Sequence, residues 1–158
     1  MKVEYINPFV ESVTELFRTM LHATVTRGTV HLSNGIGEPR NLIALIGLTG
    51  TVRGTVALHL PVNTALKMVN SLLGTENSAI DQTVADGVSE VVNIIAGGAK
   101  AKFPNADQEP LKLSLPTLVR GSNVEIDYPS HAIWLDVPFT SDLGPFSLRV
   151  TFEEDGSQ

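Results

Sequence analysis

Asp86, Glu90, Asn93 and Gly97 recur at spacings of four, three and four residues. At about 100° per residue, a helix gathers them into a stripe roughly 60° wide. Two carboxylates and a carboxamide one turn apart can all meet the same partner. The same pattern also describes an ordinary solvated helix face, and a Glu-x-x-Asn pair alone does not separate the two readings. Other chemistries have less support. His22, His31, His59 and His131 are scattered without metal-ligand spacing, and His59 falls on the polar side of an alternating strand. Gly97-Gly98-Ala99-Lys100 lacks the Gly-Lys-Ser/Thr of a phosphate loop and lies late in the candidate helix. No serine stands in a Gly-x-Ser-x-Gly elbow. The chain has no cysteine, which removes disulfides, thiolate zinc sites, thiol nucleophiles and Fe–S clusters together.

The element that must position the stripe runs from about Gln82 to Lys102. Val84, Val88, Val91, Val92, Ile95 and Ala99 form its core face, extended by Phe103. Ser78 with Asp81 three residues later resembles a capping box, and Phe103-Pro104 stops the helix. Gly87, Gly97 and Gly98 lie inside it, each costing up to about 1 kcal/mol relative to Ala. The β-branched valines and isoleucines lower helicity further. Packing must therefore hold this helix. Its small residues imply close approach by a neighbouring helix or by another protein. Lys100 and Lys102 read as ordinary surface or helix-end charges.

Around it, the order is helix, strands, hairpin, helix, long helix, strands. Asn7-Pro8 reads as an N-cap and first helical position, followed by Phe9, Val10, Val13, Leu16, Phe17, Met20 and Leu21 at helical spacing. Strands are expected over about 25–32, 42–48 and 52–60, with a polar loop over 34–39 and a turn at Thr49-Gly50-Thr51. Asn63 can cap a short helix that Gly74 closes. Further strands are expected over about 111–115, 117–119, 124–128, 132–137 and 146–152, with a frayed tail over 153–158. Strands and helices do not alternate, so an α+β fold with a largely antiparallel sheet fits better than a doubly wound one. Val13-Thr14-Glu15-Leu16-Phe17-Arg18 also echoes Val88-Ser89-Glu90-Val91-Val92-Asn93. That match is too short to establish duplication.

The 158 residues suit a single domain, 1–158, long enough to bury one substantial core. Eleven Lys and Arg against 17 Asp and Glu give a net charge of −6, with no basic cluster. A nucleic-acid groove or an anionic membrane surface therefore has no electrostatic footprint. No signal peptide opens the sequence and no apolar run reaches 18 residues, so a cytoplasmic protein is expected.

Asp86-x-x-x-Glu90-x-x-Asn93, followed by Ala96-Gly97-Gly98, resembles the active-site helix of the CheC/CheX/FliY phosphatases of bacterial chemotaxis. Ile46-Gly47-Leu48-Thr49-Gly50 with Arg53-Gly54-Thr55 is similar to the family's glycine-marked hairpin. Thr64-Ala65-Leu66-Lys67-Met68-Val69 before Gly74 matches its intervening helix, and Pro116-Thr117-Leu118-Val119-x-Gly121 its later strand. The likeness runs through nearly the whole chain and is greatest to the CheX branch, which keeps the Glu-x-x-Asn pair only on the second helix. Here the first helix carries Glu15-x-x-Arg18.

The resemblance implies two α/β pseudo-repeats sharing a sheet, a homodimer, one active site, and a phosphorylated CheY-like response regulator as substrate. It implies catalytic roles for Glu90 and Asn93. An aspartyl phosphate on such a regulator sits beside its own Mg²⁺ and Lys, so no metal of this chain's own is expected. The auxiliary protein must place a water in line with the scissile P–O bond. A carboxamide can accept from water and donate elsewhere without repelling phosphoryl oxygens, which suits Asn93. Glu90 can pair with the regulator's Lys, Asp86 can make a flanking contact, and Gly97 can let the partner come close. The rival expectation is a non-catalytic dimeric adaptor that uses the same helix to bind a receiver domain or a flagellar or signalling partner.

Overall fold

In the computed structural model, residues 3–33, 41–104, 106–120 and 133–153 are described. A 3-10 turn (Val3–Tyr5) leads into helix α1 (Asn7–Leu16), which continues as a π-helical turn (Phe17–Leu21). Strands β1 (Val25–Arg27), β2 (His31–Ser33), β3 (Asn41–Thr49) and β4 (Arg53–Pro61) precede helices α2 (Val62–Leu73) and α3 (Gln82–Lys102). Then come β5 (Lys112–Leu113), β6 (Thr117–Arg120), β7 (Trp134–Ser141) and β8 (Phe146–Glu153). These strands make one antiparallel sheet in the order β1-β7-β8-β4-β3-β5, with β2 also on β7 and β6 also on β3.

That order is a repeat turned back on itself. The series α1-β1-β2-β3-β4 and α3-β5-β6-β7-β8 match, and β4 meets β8 at the centre. Each half lends its short edge strands to the other half's hairpin: β1 and β2 lie on β7, while β5 and β6 lie on β3. The helices match in burial as well. Val13, Leu16 and Phe17 are buried like Val88, Val91 and Val92, while Glu11, Glu15 and Arg18 are exposed like Asp86, Glu90 and Asn93. The short sequence echo is thus part of two α/β pseudo-repeats sharing a sheet, and the expected α+β class holds.

Alternation in the strands sends Leu42, Ala44, Ile46 and Leu48 of β3, and Val56, Leu58 and Leu60 of β4, to the face that the three helices cover. Phe17, Phe146 and Phe139 stack in succession there, with ring centroids 5.4 and 4.9 Å apart. The opposite face is also buried, with Ile43, Ala57 and Trp134 forming its apolar part. His59 lies on that second face and is buried, so the strand's alternation marks its side but not its exposure. On the same face Asp136 and Arg149 are buried as a pair, the Arg149 Nε donating to Asp136 Oδ2 at 3.2 Å.

Several local expectations shift. Ile6, not Asn7, caps α1: it is buried with helical backbone angles, and its carbonyl accepts from Phe9 and Val10 N–H. Asn63 does not cap α2, because the extended backbone of Pro61 already turns the chain from strand to helix. Asp81 is itself the N-cap of α3, accepting from Val84 N–H at 2.9 Å, so Ser78 stands outside the cap. Gly74 closes α2 at φ 67° as expected. Strand β7 continues through Pro138 because the edge beside it is interrupted between β1 and β2. The Pro138 carbonyl accepts from Gly28 N–H at 2.7 Å in that gap. Glu153 belongs to β8, opposite Arg53, rather than to a frayed tail. The expected loop over 34–39, the strand over 124–128 and the tail beyond Glu153 lie outside the described residues.

Candidate functional site

Helix α3 is held in place from three sides. Its face of Val84, Val88, Val91, Val92, Ile95 and Ala99 is buried in the core. The glycines explain the close packing that their helix propensity opposes. A Cβ on Gly87 would come within 2.6 Å of Val69 Cγ1 on α2. One on Gly98 would overlap the Ser12 hydroxyl of α1, which donates to the Ile95 carbonyl at 2.6 Å. Both are helix-to-helix seats. At the helix start, Arg120 Nη1 of β6 donates to the Ile80 carbonyl at 3.0 Å.

Gly97 is different, since a Cβ there would meet nothing within 4 Å. It stands on the exposed stripe with Asp86, Glu90 and Asn93, which the structure brings together on one side of α3 as expected. Glu90 and Asn93 lie one turn apart, about 4.5 Å along the axis. Neither side chain makes a hydrogen bond or ion pair within the described residues, whereas Asp86 Oδ1 accepts from Gln82 Nε2 at 2.8 Å. Lys100 continues the spacing by three residues and is exposed on the same stripe. Its register with Asn93 and Gly97 was available in the sequence, but its place at the helix end masked it.

This stripe lies on the outward, exposed side of α3. Neither the cleft lined by Gly47, Arg53 and Ser114 nor the one lined by Thr14, Arg18 and His22 includes any of its residues. A surface of this kind suits a macromolecular partner that brings its own concavity. Among the described residues no three His, Asp or Glu side chains converge as a metal site, and no helix is long and apolar enough to cross a membrane. His59 is pushed down to about 3, chiefly by burial and secondly by the Arg149 charge, which keeps it neutral and away from proton transfer at the surface.

The matching position on α1 is chemically unlike α3. Glu15 is occupied by Lys102 Nζ at 2.9 Å, and that lysine's hydrogen bond and charge hold its carboxyl below the usual range. Arg18 stands where α3 has its amide. One helix therefore presents an unoccupied carboxylate and carboxamide, and the other does not.

Comparison with known proteins places this arrangement. Residues 42–140 match the family described as chemotaxis phosphatase CheX. The chain is 26% identical over 141 residues to the CheY-P phosphatase CheX of Thermotoga maritima, covering 89% of each protein. A CheC-like superfamily protein from Shewanella sp. PV-4 shares its fold at a TM-score of 0.85 and 28% identity, over 98% of this chain and 100% of that one. CheX in the CheX–CheY–BeF3–Mg²⁺ complex from Borrelia burgdorferi superimposes at a TM-score of 0.81 and 25% identity, over 97% and 100%. With a family match across more than half of its length and this helix at the centre of it, the chain belongs to the CheX chemotaxis phosphatase family.

Proposed function

We propose that this chain dephosphorylates a phosphorylated CheY-like response regulator, with α3 as the docking and catalytic surface. The observation that carries the reading is the exposed Glu90–Asn93 pair, one turn apart and without partners among the described residues, on a helix that lies open at Gly97. A named CheY-P phosphatase among the relatives and a solved CheX–CheY complex support the same partner chemistry.

The reaction is hydrolysis of an acyl phosphate. Water attacks phosphorus in line with the bond to the aspartyl oxygen, that bond breaks, and inorganic phosphate and the free carboxylate leave. Asn93 accepts a hydrogen bond from the attacking water and holds it on that line, which lowers the entropic part of the barrier. Glu90 pairs with the regulator's active-site lysine and fixes the register of docking. Asp86 flanks this contact, and Gly97 admits the partner's backbone. The Mg²⁺ enters with the regulator, in keeping with the BeF3–Mg²⁺ complex of the Borrelia relative.

In this reading the protein works in the cytoplasm as a homodimer of single-domain chains. Exchange of edge strands between the two halves supports the single domain. Decay of a phosphorylated CheY-type receiver, followed with and without the protein, tests the proposal. Accelerated phosphate loss is expected. Binding of the phosphorylated receiver at an unchanged decay rate would make the protein an adaptor instead.

A further inference from the structure

The two lysines in the last turn of α3 differ in what they touch. Lys102 turns toward α1 and pairs with Glu15. Lys100 makes no hydrogen bond or ion pair within the described residues and stands exposed on the docking stripe. Between it and Asn93 lies the open position of Gly97. The stripe therefore carries its charge in order: Asp86 and Glu90 acidic, Asn93 and Gly97 neutral, Lys100 basic.

We propose that Lys100 is a docking residue that pairs with a carboxylate beside the partner's phosphoryl pocket and sets the direction in which the partner lies along α3. The inference rests on the phosphatase reading above and adds a specificity determinant to it. Seven residues separate Asn93 from Lys100, about 10.5 Å along the axis, and Glu90 is about 15 Å away. Lys100 thus sits beyond the phosphoryl group that Asn93 attends, at the rim of the contact. A partner with a lysine opposite Glu90 and a carboxylate opposite Lys100 is attracted at both ends in one orientation. Reversed, it is repelled at both. A cation near a helix C-terminus also complements the helix dipole. Lys102 already supplies that, and dipole complementarity is indifferent to which face the second lysine occupies.

The test is the rate of phosphate loss against concentration of a phosphorylated CheY-type receiver, at low salt and with added NaCl. Relative to wild type, Lys100→Gln is expected to raise KM about threefold, within the range of a rim ion pair, and to flatten its salt dependence. Lys100→Glu raises KM about tenfold by adding repulsion. In both, kcat is unchanged. Lys100→Arg keeps the wild-type KM, and Lys102→Gln, which removes a charge of equal sign two residues away, leaves KM unchanged. Wild-type KM and salt dependence in both Lys100→Gln and Lys100→Glu, with hydrolysis still dependent on Asn93, would overturn the proposal and leave the phosphatase reading standing. A fall in kcat at constant KM would overturn it too. No acceleration by the wild-type protein would remove the phosphatase reading itself, a separate result.

Discussion

Replacing Gly98 with Ala and replacing Gly97 with Ala should move stability in opposite directions, although the residues are adjacent in one helix. Helix propensity alone favours Ala over Gly by about 1 kcal/mol at both sites. At Gly97 nothing opposes that gain, because a Cβ there meets open space. At Gly98 the new methyl overlaps the hydroxyl of Ser12, a buried residue whose bond to Ile95 O ties α1 to α3. Ser12 must give up that bond, worth about 1 kcal/mol, and with its Cβ still 3.3 Å from the new methyl the seam between the helices is overpacked at a further cost of about 1–3 kcal/mol. The net expectation is a gain of about 1 kcal/mol for Gly97→Ala and a loss of about 1–3 kcal/mol for Gly98→Ala. For a chain of this size those become a Tm rise of about 2–4 °C and a fall of roughly 2–12 °C. Calorimetry with urea titration reads both. The double variant Ser12→Ala, Gly98→Ala removes the overlapping oxygen and should recover part of the loss, with a coupling of about 0.5–3 kcal/mol. A Gly98→Ala protein as stable as wild type would refute the packing argument. Activity then separates the glycines further. Gly97→Ala, though more stable, should dephosphorylate a receiver more slowly, by up to about 10²-fold if the partner is held off by an ångström. Full activity would end the docking stripe before Gly97.

Two further perturbations test other parts of the fold. His59 has a folded pKa of about 3, below its ordinary 6.5, so the fold prefers the neutral ring. Its contribution to stability is complete above pH 6.5 and is lost as pH falls from 6.5 toward 3, at up to about 1.4 kcal/mol per pH unit. His59→Leu also removes an Nδ1 that is buried without a partner among the described residues. It should shift the acid-unfolding midpoint to lower pH in a circular-dichroism titration, and an unshifted midpoint would mean that His59 does not titrate on unfolding. Asp81→Ala removes the cap on Val84 N–H and should cost about 1 kcal/mol in urea unfolding. If Ser78→Ala costs as much and Asp81→Ala nothing, the helix begins earlier than the structure places it.

The helix that carries the site was the most legible part of the sequence. A 3.6-residue period sustained from Val84 to Ala99 fixes which side is core, and so which side exposes Asp86, Glu90, Asn93 and Gly97. The glycines were legible as a cost and as a sign of close approach, but not as to what each one admits: two seat neighbouring helices and one faces open space. Strand exchange between the halves was out of reach, because period-two alternation reports which way side chains point and not which strand lies alongside. The continuation of β7 through Pro138 depends on a gap at Gly28 in another strand, a long-range fact of the same kind. The burial of His59 needed the second sheet face, whose closure the alternation of β4 does not encode. Cap positions slipped by one or two residues where a buried Ile6 or an extended Pro61 decided the entry into the helix.

Substitution of Asn93 tests the catalytic claim most directly. Binding of Asn93→Ala and wild-type protein to a BeF3-activated CheY-type receiver would be compared alongside decay of the phosphorylated receiver. Binding within about twofold of wild type, with acceleration reduced by about 10²-fold or more, is the expected pair of results. An Asn93→Ala protein that still hastens phosphate loss at the wild-type rate would show that the water is positioned by another group, and would remove Asn93 from the reaction.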